Sequence, residues 1–526
     1  MLRHRRWLII LCLAFVVIQT HTAWTWGLPG KVSWAVDSVG GFHILNWVKH
    51  AMKYWPDGDP YPPVHKYILA ATYAPVVGWY WATGQIDFDA GVAKDDIAAR
   101  TALLRIGRLV TVVMSVGVVV LFFRLGEQLG PPGAGLLAAG YWTGTYVVSY
   151  YSQTTNLDVP YICWTVLALD RLVAFHRTNR PSPLVASAVF AALAVGTKDQ
   201  AAGMIIALPC LVLWSPFRPK AEPHNPAART GIRQVGVWLF TSLATYGVVS
   251  QAFFRPGNYW SHVQSVLGPS LKRFQADMGQ LELLAAYARE FSIAAHPVVI
   301  VLLILGMLSL AVLSTRLFLW LLIPIISYHA VFICPSRLLA VRFILPHLSI
   351  FALAAGLGWA MVLHRRPRIA NRVIPALALI SYLSGLSLTM LLWDDPRSAA
   401  QSWIEEHPEV KHSLATYCRS DFYLPTPAQL HAERLRSPDG RLVDVQARYL
   451  ICVSRWYSRY LKSDNPAVAD AWNALLAGRR GFEPFAHFGS HPPPFPWLDI
   501  SKRLPEIPGL AQSIHILRKA STGPPK

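Results

Sequence analysis

Asp37 stands in Trp34-Ala-Val-Asp37-Ser38, shortly after the first apolar run of the chain. A carboxylate at a membrane edge can act as a general base that takes the proton from an acceptor hydroxyl. The plain alternative is a helix N-cap, because a helix-like run from Val39 to Met52 follows. A second acid, Asp158, lies in Asn156-Leu-Asp158-Val-Pro160, between two apolar runs. Asp followed by Pro also marks an ordinary helix start. The topology below puts both carboxylates on the same side, where they could work as base and partner or share a divalent cation. No ligand set defines such a metal. Asp57-Gly58-Asp59 has the D-x-D form that holds a metal and a nucleotide sugar. Pro56, Gly58 and Pro60 make it a turn instead, and nucleotide sugars are absent outside the cytoplasm.

The cations form the second group. His65 and Lys66 open an apolar stretch to Trp81, which reads as a membrane-lying or re-entrant helix. There Lys66 could meet an anionic head group or simply snorkel. Lys198 and Asp199 sit at the tip of a short helical hairpin, either as a functional pair or as one that neutralises the tip. Arg255, Arg273, Arg337 and Arg342 fall on the outer side, against the positive-inside trend. Guanidinium binds phosphate oxygens in a bidentate fork, so outer arginines near the lipid surface suit a phosphate ligand. Snorkelling anchors are the alternative. Arg342 leads directly into an apolar run, which puts it at head-group depth.

These residues must be positioned by membrane helices. The chain has 526 residues and 12% aromatics, with a mean hydropathy of +0.34. Several stretches are nearly free of charge over the ~18–20 residues that cross a ~30 Å hydrocarbon core. Backbone groups in lipid must be satisfied internally, and nothing alternates like barrel strands, so the spans are helices. The formal charge of +19 does not indicate nucleic acid, because the Lys and Arg residues fall mainly in short loops between apolar runs. Arg3–Arg6, His176–Arg180, Phe217–Arg233 and His364–Arg372 are therefore cytoplasmic. Spans fall near 7–27, 103–123, 133–151, 159–176, 232–252, 296–314, 317–334, 343–363 and 373–393. Residues 183–215 begin and end in the cytoplasm, so they form two short helices joined at Gly196-Thr197-Lys198-Asp199. The fold expected is an α-helical polytopic membrane protein of about 11 spans, N-terminus inside. Residues 1–393 form the membrane domain. Residues 394–526 form a soluble extracytoplasmic α/β domain, with a helix at Ser398–Glu406 and strands at His412–Tyr417 and Arg448–Val453.

Of six cysteines, Cys418 and Cys452 lie in this polar part and could form a disulfide if it is extracytoplasmic. The chain has no CxxC, GxSxG, HExxH, Walker loop or GxGxxG.

The order of these features resembles glycosyltransferase family 39, the GT-C-fold enzymes of the protein O-mannosyltransferase and lipid A aminoarabinose transferase type. The resemblance runs through Asp37 in the first outer loop, the proline pair Pro62-Pro63, and Arg100 to Gly126. It continues with Leu157-Asp158-Val-Pro-Tyr-Ile-Cys-Trp, Ala194-Val-Gly-Thr-Lys198 and Val341-Arg342-Phe-Ile-Leu-Pro346. It ends at Asp395-Pro-Arg-Ser-Ala-Ala-Gln-Ser-Trp-Ile-Glu. Two departures stand out. Ser38 follows Asp37 where many members have Glu, and Tyr61 precedes the proline pair where many have Lys or His. The resemblance implies a polyprenyl-phosphate-linked sugar donor and an acceptor that is a lipid, glycan or protein. It also implies single displacement with inversion, in the cell (inner) membrane. Asp37 and Asp158 would be catalytic, and Lys66, Lys198, Arg255 and Arg342 would bind the substrate. A transporter or flippase of a lipid-linked anion, and a non-catalytic envelope scaffold, are the competing readings.

Overall fold

A computed structural model of the chain describes residues 2–29, 33–35, 38–50, 52, 61–84, 97–215, 217, 227–270, 272, 275–418, 423–425, 432–435, 442–443, 445–461, 465–491 and 513–520. Apolar stretches become helices throughout its first three quarters. These are α1 (Leu2–Thr25), α2 (Gly41–Lys49), α3 (Val64–Ala82) and α4 (Ile97–Leu129). Then come α5 (Ala134–Thr143), α6 (Tyr146–Tyr151), α7 (Asp158–Thr178) and α8 (Pro181–Thr197). After a turn follow α9 (Ala202–Ile205), α10 (Leu208–Leu213), α11 (Ala227–Val249) and α12 (Pro256–Ser265). The set ends with α13 (Gln280–Ile293), α14 (Pro297–Leu313), α15 (Thr315–Tyr328), α16 (Leu345–His364) and α17 (Pro367–Trp393). Among the described residues, six helices are long and apolar enough to cross a membrane, and three shorter apolar ones accompany them. The chain is an integral membrane protein.

One predicted span and one predicted short helix are interrupted. The run 133–151 breaks at Thr145, which is extended (φ −88°, ψ 140°) and caps α6 through its hydroxyl. There the backbone leaves the helix to pair elsewhere, Tyr146 N–H donating to the Ala294 carbonyl at 2.7 Å. The second arm of the 183–215 hairpin is also broken, with Pro209 in the first turn of α10. Close packing relies on small residues, as expected where lipid supplies no hydrophobic drive between helices. A Cβ on Gly135 would fall 2.0 Å from the Phe123 carbonyl oxygen, so α4 and α5 touch backbone to backbone.

The C-terminal part carries α18 (Pro396–Glu406) and a five-stranded sheet in the order β2-β1-β3-β5-β4. The strands are β1 (Leu414–Thr416), β2 (Glu433–Arg434), β3 (Tyr449–Val453), β4 (Phe482–Gly489) and β5 (Ser513–Lys519). β1 runs parallel to β2 and β3, while β5 runs antiparallel to β3 and β4. Ala400 and Ile404 of α18 cover one face with Ile451, Val453, Ile514 and Ile516. Trp472 and Leu475 cover the other with Leu450, Cys452 and Leu517, from the helix Pro466–Leu476. This is the expected α/β arrangement, with the two expected strands as neighbours. The disulfide that the sequence left open between Cys418 and Cys452 is not formed. Alternation along β3 puts Cys452 on the face opposite Ile451 and Val453, whereas Cys418 belongs to the cluster on their side.

Candidate active site

Lys198 follows the last residue of α8 and has an extended backbone (φ −154°, ψ 122°), after which Asp199 starts a short 3-10 turn. This conformation sends the two neighbouring side chains to different partners. Lys198 Nζ lies 2.7 Å from Asp158 Oδ1, with the side chains 9% and 1% exposed. Asp199 Oδ2 instead meets His262 Nε2 at 3.2 Å, from α12. The hairpin-tip pair of Lys198 with Asp199 is therefore replaced by two pairs, each tying the hairpin to another helix. Asp158 opens α7, where the positive end of the helix dipole favours a carboxylate.

Aromatic rings line the ammonium. Lys198 Nζ stands 5.8 Å from the Tyr161 ring centroid and 5.9 Å from that of Phe343. The Phe343 ring also lies 5.1 Å from the Arg342 guanidinium, in the 3-10 turn Val341–Ile344 that leads into α16. Arg342 and Lys198 thus share one ring.

The remaining cations converge on the same helix ends. Gly196, two residues before Lys198, leaves space for Val64 at the start of α3 and Val249 at the end of α11. Lys66 is buried in the first turn of α3, 5.6 Å from the Trp47 ring centroid. Gln251 has a left-handed backbone (φ 63°) and joins three elements. Its Nε2 donates to the Tyr67 hydroxyl at 2.7 Å and to the Met52 carbonyl at 2.8 Å, and its Oε1 accepts from Arg255 Nη1 at 3.3 Å. Lys66, Lys198, Arg255 and Arg342 therefore stand where α3, α8, α11 and α16 meet the start of α7.

Asp37 lies outside the described residues, as do Asp57, Asp59 and Arg273. The described residues that follow Asp37 are tied to the segment before Asp158. Ser38 Oγ donates to Asn156 Oδ1 at 3.4 Å, and Val39 N–H to the Thr155 carbonyl at 3.2 Å. That segment, Ser152 to Asn156, is polar and wholly buried. Ser152 Oγ, both amide atoms of Gln153 and Thr155 Oγ1 have no hydrogen-bond partner among the described residues. Among the described residues no three His, Cys, Asp or Glu side chains gather in a metal-holding group.

Sequence reasoning passed over Tyr161, Gln251, His262 and Phe343. Tyr161 could have been found from its spacing, one turn after Asp158 on the same helical face. Gln251 and His262 carry no such signal, since their partners are distant in sequence.

The bundle of apolar helices with its appended sheet has a GT-C-like fold. A family model described as dolichyl-phosphate-mannose-protein mannosyltransferase matches residues 102–231, from α4 into α11, a stretch that includes Asp158 and Lys198. Among solved structures, the chain is similar to apo ArnT from Cupriavidus metallidurans, with a TM-score of 0.50, 11% identity and 99% of each chain covered. It is also similar to the Archaeoglobus fulgidus oligosaccharyltransferase tethered with an acceptor peptide, with a TM-score of 0.48 and 12% identity over 93% of this chain and 74% of that one. A further similarity is to the same ArnT bound to undecaprenyl phosphate, with a TM-score of 0.43 and 11% identity over 99% of each chain. No curated protein sequence matches.

Proposed function

We propose that the protein is a membrane glycosyltransferase that moves a sugar from a polyprenyl-phosphate carrier to an acceptor hydroxyl at the extracytoplasmic face, with inversion. The observation that carries this is the buried Lys198–Asp158 pair, set among Arg342, Lys66 and Arg255 where helix ends converge. The carrier named in the matched family's description, and the undecaprenyl phosphate bound to ArnT, support the choice of donor.

The chemistry asks little of acids. The bond from the anomeric carbon to the phosphate oxygen breaks as the acceptor oxygen attacks from the opposite side. The phosphate leaves with its charge and needs no proton, so cations placed at the leaving oxygen stabilise the transition state. Lys198 and Arg342, then Lys66 and Arg255, are the candidates for that work. One base must take the acceptor proton, and Asp37 is assigned to it. Asp158 holds Lys198 in place. The division into a membrane domain (1–393) and an outer domain (394–526), with the N-terminus in the cytoplasm and the protein in the cell membrane, belongs to the same proposal. The acceptor is a lipid, a glycan or a protein.

Mass spectrometry of envelope glycans and lipid carriers tests this in cells lacking the protein. Loss of one sugar-modified component, with build-up of its polyprenyl-phosphate sugar, is the expected result. Unchanged glycans with an unchanged carrier pool would refute it. Asp37→Asn should abolish transfer at normal protein levels.

A further inference from the structure

A buried charged cluster joins the first outer loop to the start of the C-terminal part, and the reaction above makes no use of it. Asp395 and Arg397, at the N-terminus of α18, are 2% and 0% exposed. Arg397 Nε donates to Asp395 Oδ1 at 2.9 Å, while Nη2 reaches the other carboxylate oxygen. That second oxygen also accepts the Trp26 indole N–H at 3.0 Å. The guanidinium lies 4.4 Å from the Trp34 ring centroid and 5.7 Å from that of Trp26. Trp26 is itself held from behind, since Arg108 Nη1 donates to its carbonyl at 2.7 Å and the Tyr150 ring packs edge-on at 5.9 Å.

Desolvating a guanidinium and a carboxylate offsets most of what their attraction returns, so a pair this dry contributes geometry more than stability. Arginine suits that task, because its planar fork holds a carboxylate while its faces stack on indoles. The element so fixed is Trp34, itself 1% exposed and three residues before Asp37. On the other side of Asp37, Ser38 and Val39 are bonded to Asn156 and Thr155. Described residues on both sides of Asp37 are thus anchored, one side by the C-terminal part and the other by the approach to α7.

We infer that Arg397, seated by Asp395, is a positioning residue for the first outer loop, so that the C-terminal part completes the catalytic site. This inference rests on the proposed transfer reaction and on Asp37 as its base. A base must sit within about 0.5 Å of its productive position, and a displacement of about 1 Å costs roughly 100-fold in rate.

The test uses membranes holding the full chain at matched amounts, with the product identified by the mass spectrometry above. Arg397→Ala and Trp34→Leu should lower product formation by roughly 100-fold and Arg397→Lys by roughly tenfold, as expected for a displaced base. Binding of undecaprenyl phosphate, read by native mass spectrometry, should stay at the wild-type level in all three. Hydrogen exchange in residues 33–35 should rise in Arg397→Ala. Lost lipid binding in a folded Arg397→Ala would overturn the inference, because the residue would then act on the donor site. Wild-type transfer in that variant, with Asp37→Asn inactive, would overturn the positioning role and leave the reaction standing. Active Asp37→Asn would remove the base assignment, and this inference with it. Should Arg397→Ala not fold, the outcome is decided on Arg397→Lys and Trp34→Leu, where unchanged transfer in both overturns it.

Discussion

Removing the Lys198 ammonium should both destabilise the protein and stop the reaction, and the two effects separate in a double-mutant cycle. At 2.7 Å the gross attraction between Lys198 and Asp158 is about 6 kcal/mol for an effective dielectric constant of ~20. Most of this is offset by desolvation, because both groups are almost fully buried. Losing one partner is different, since the other charge stays buried without compensation, at a cost of about 3–5 kcal/mol. Lys198→Met should therefore lower the unfolding free energy by that amount, and Asp158→Asn by somewhat less, because an amide still accepts from the ammonium. The double variant should recover at least about 2 kcal/mol relative to the sum of the single changes, as coupled neighbours do. Denaturant titration in detergent micelles, followed by tryptophan fluorescence, supplies the stabilities. The membrane transfer assay supplies the activities, and the stable double variant should be inactive. Additive stabilities would show that the pair does not couple. Transfer by the double variant would show that the site does not need the ammonium, ending the assigned role of Lys198.

Arg342→Ala should weaken undecaprenyl phosphate binding by about tenfold to 100-fold, the value of a charge-assisted hydrogen bond of about 1.5–3 kcal/mol, read by native mass spectrometry. Gln251→Ala should weaken the same binding by several-fold, because it removes a hydrogen-bond partner of both Arg255 and Tyr67; unchanged binding would mean that Arg255 does not touch the donor. In the C-terminal sheet, burial, and then His487 opposite it on β4, pushes the His515 imidazole down to about 4 from its ordinary 6.5. The unfolded chain takes up this proton first, so stability should rise with pH between about 4 and 6.5, and His515→Gln should remove that part of the slope. Hydrogen exchange of β4 and β5 in the full chain measures it. Cys418 and Cys452 should both be alkylated in the denatured protein without reductant, as a mass shift on each peptide; protection of the two together would reveal a disulfide.

The helices, the C-terminal sheet and the residues around Asp158 were largely legible because hydropathy and residue patterning are local properties. Asp158 stands at a helix start because Asp-Val-Pro cannot do otherwise cheaply, and Leu345-Pro346 starts α16 after Arg342 for the same reason. What was not legible is pairing. Lys198 and Asp199 are adjacent in sequence, yet one extended residue separates their directions, and nothing local says that Lys198 will find a residue 40 positions away. The break at Thr145 was hidden too, because it depends on a carbonyl at Ala294 that hydropathy cannot report. Cys418 and Cys452 failed as a pair for a reason that could be read only after the strands were registered. The Gln251 junction needs a left-handed glutamine, a conformation that no sequence signal announces.

The pairing of Lys198 with Asp158 also bears on how a site can keep several cations together before its substrate arrives. Lys66, Lys198, Arg255 and Arg342 gather at helix ends, the two lysines buried and the two arginines half-buried, and like charges there repel one another. Asp158 offsets one of them at a helix N-terminus that already favours its charge, and Gln251 holds Arg255 through a neutral amide. A dianionic leaving group requires a positive site. On the proposed mechanism the phosphate then gains more from the site as its charge grows, because Asp158 has oriented the ammonium in advance and no reorganisation is needed at the moment of transfer. A neutral carboxamide at position 158 would leave the same net attraction for phosphate, or a larger one, but a less well-oriented Lys198. Asp158→Asn should therefore bind undecaprenyl phosphate as well as the wild type or better and transfer sugar more slowly. Weaker binding together with slower transfer would place Asp158 in direct contact with the donor instead.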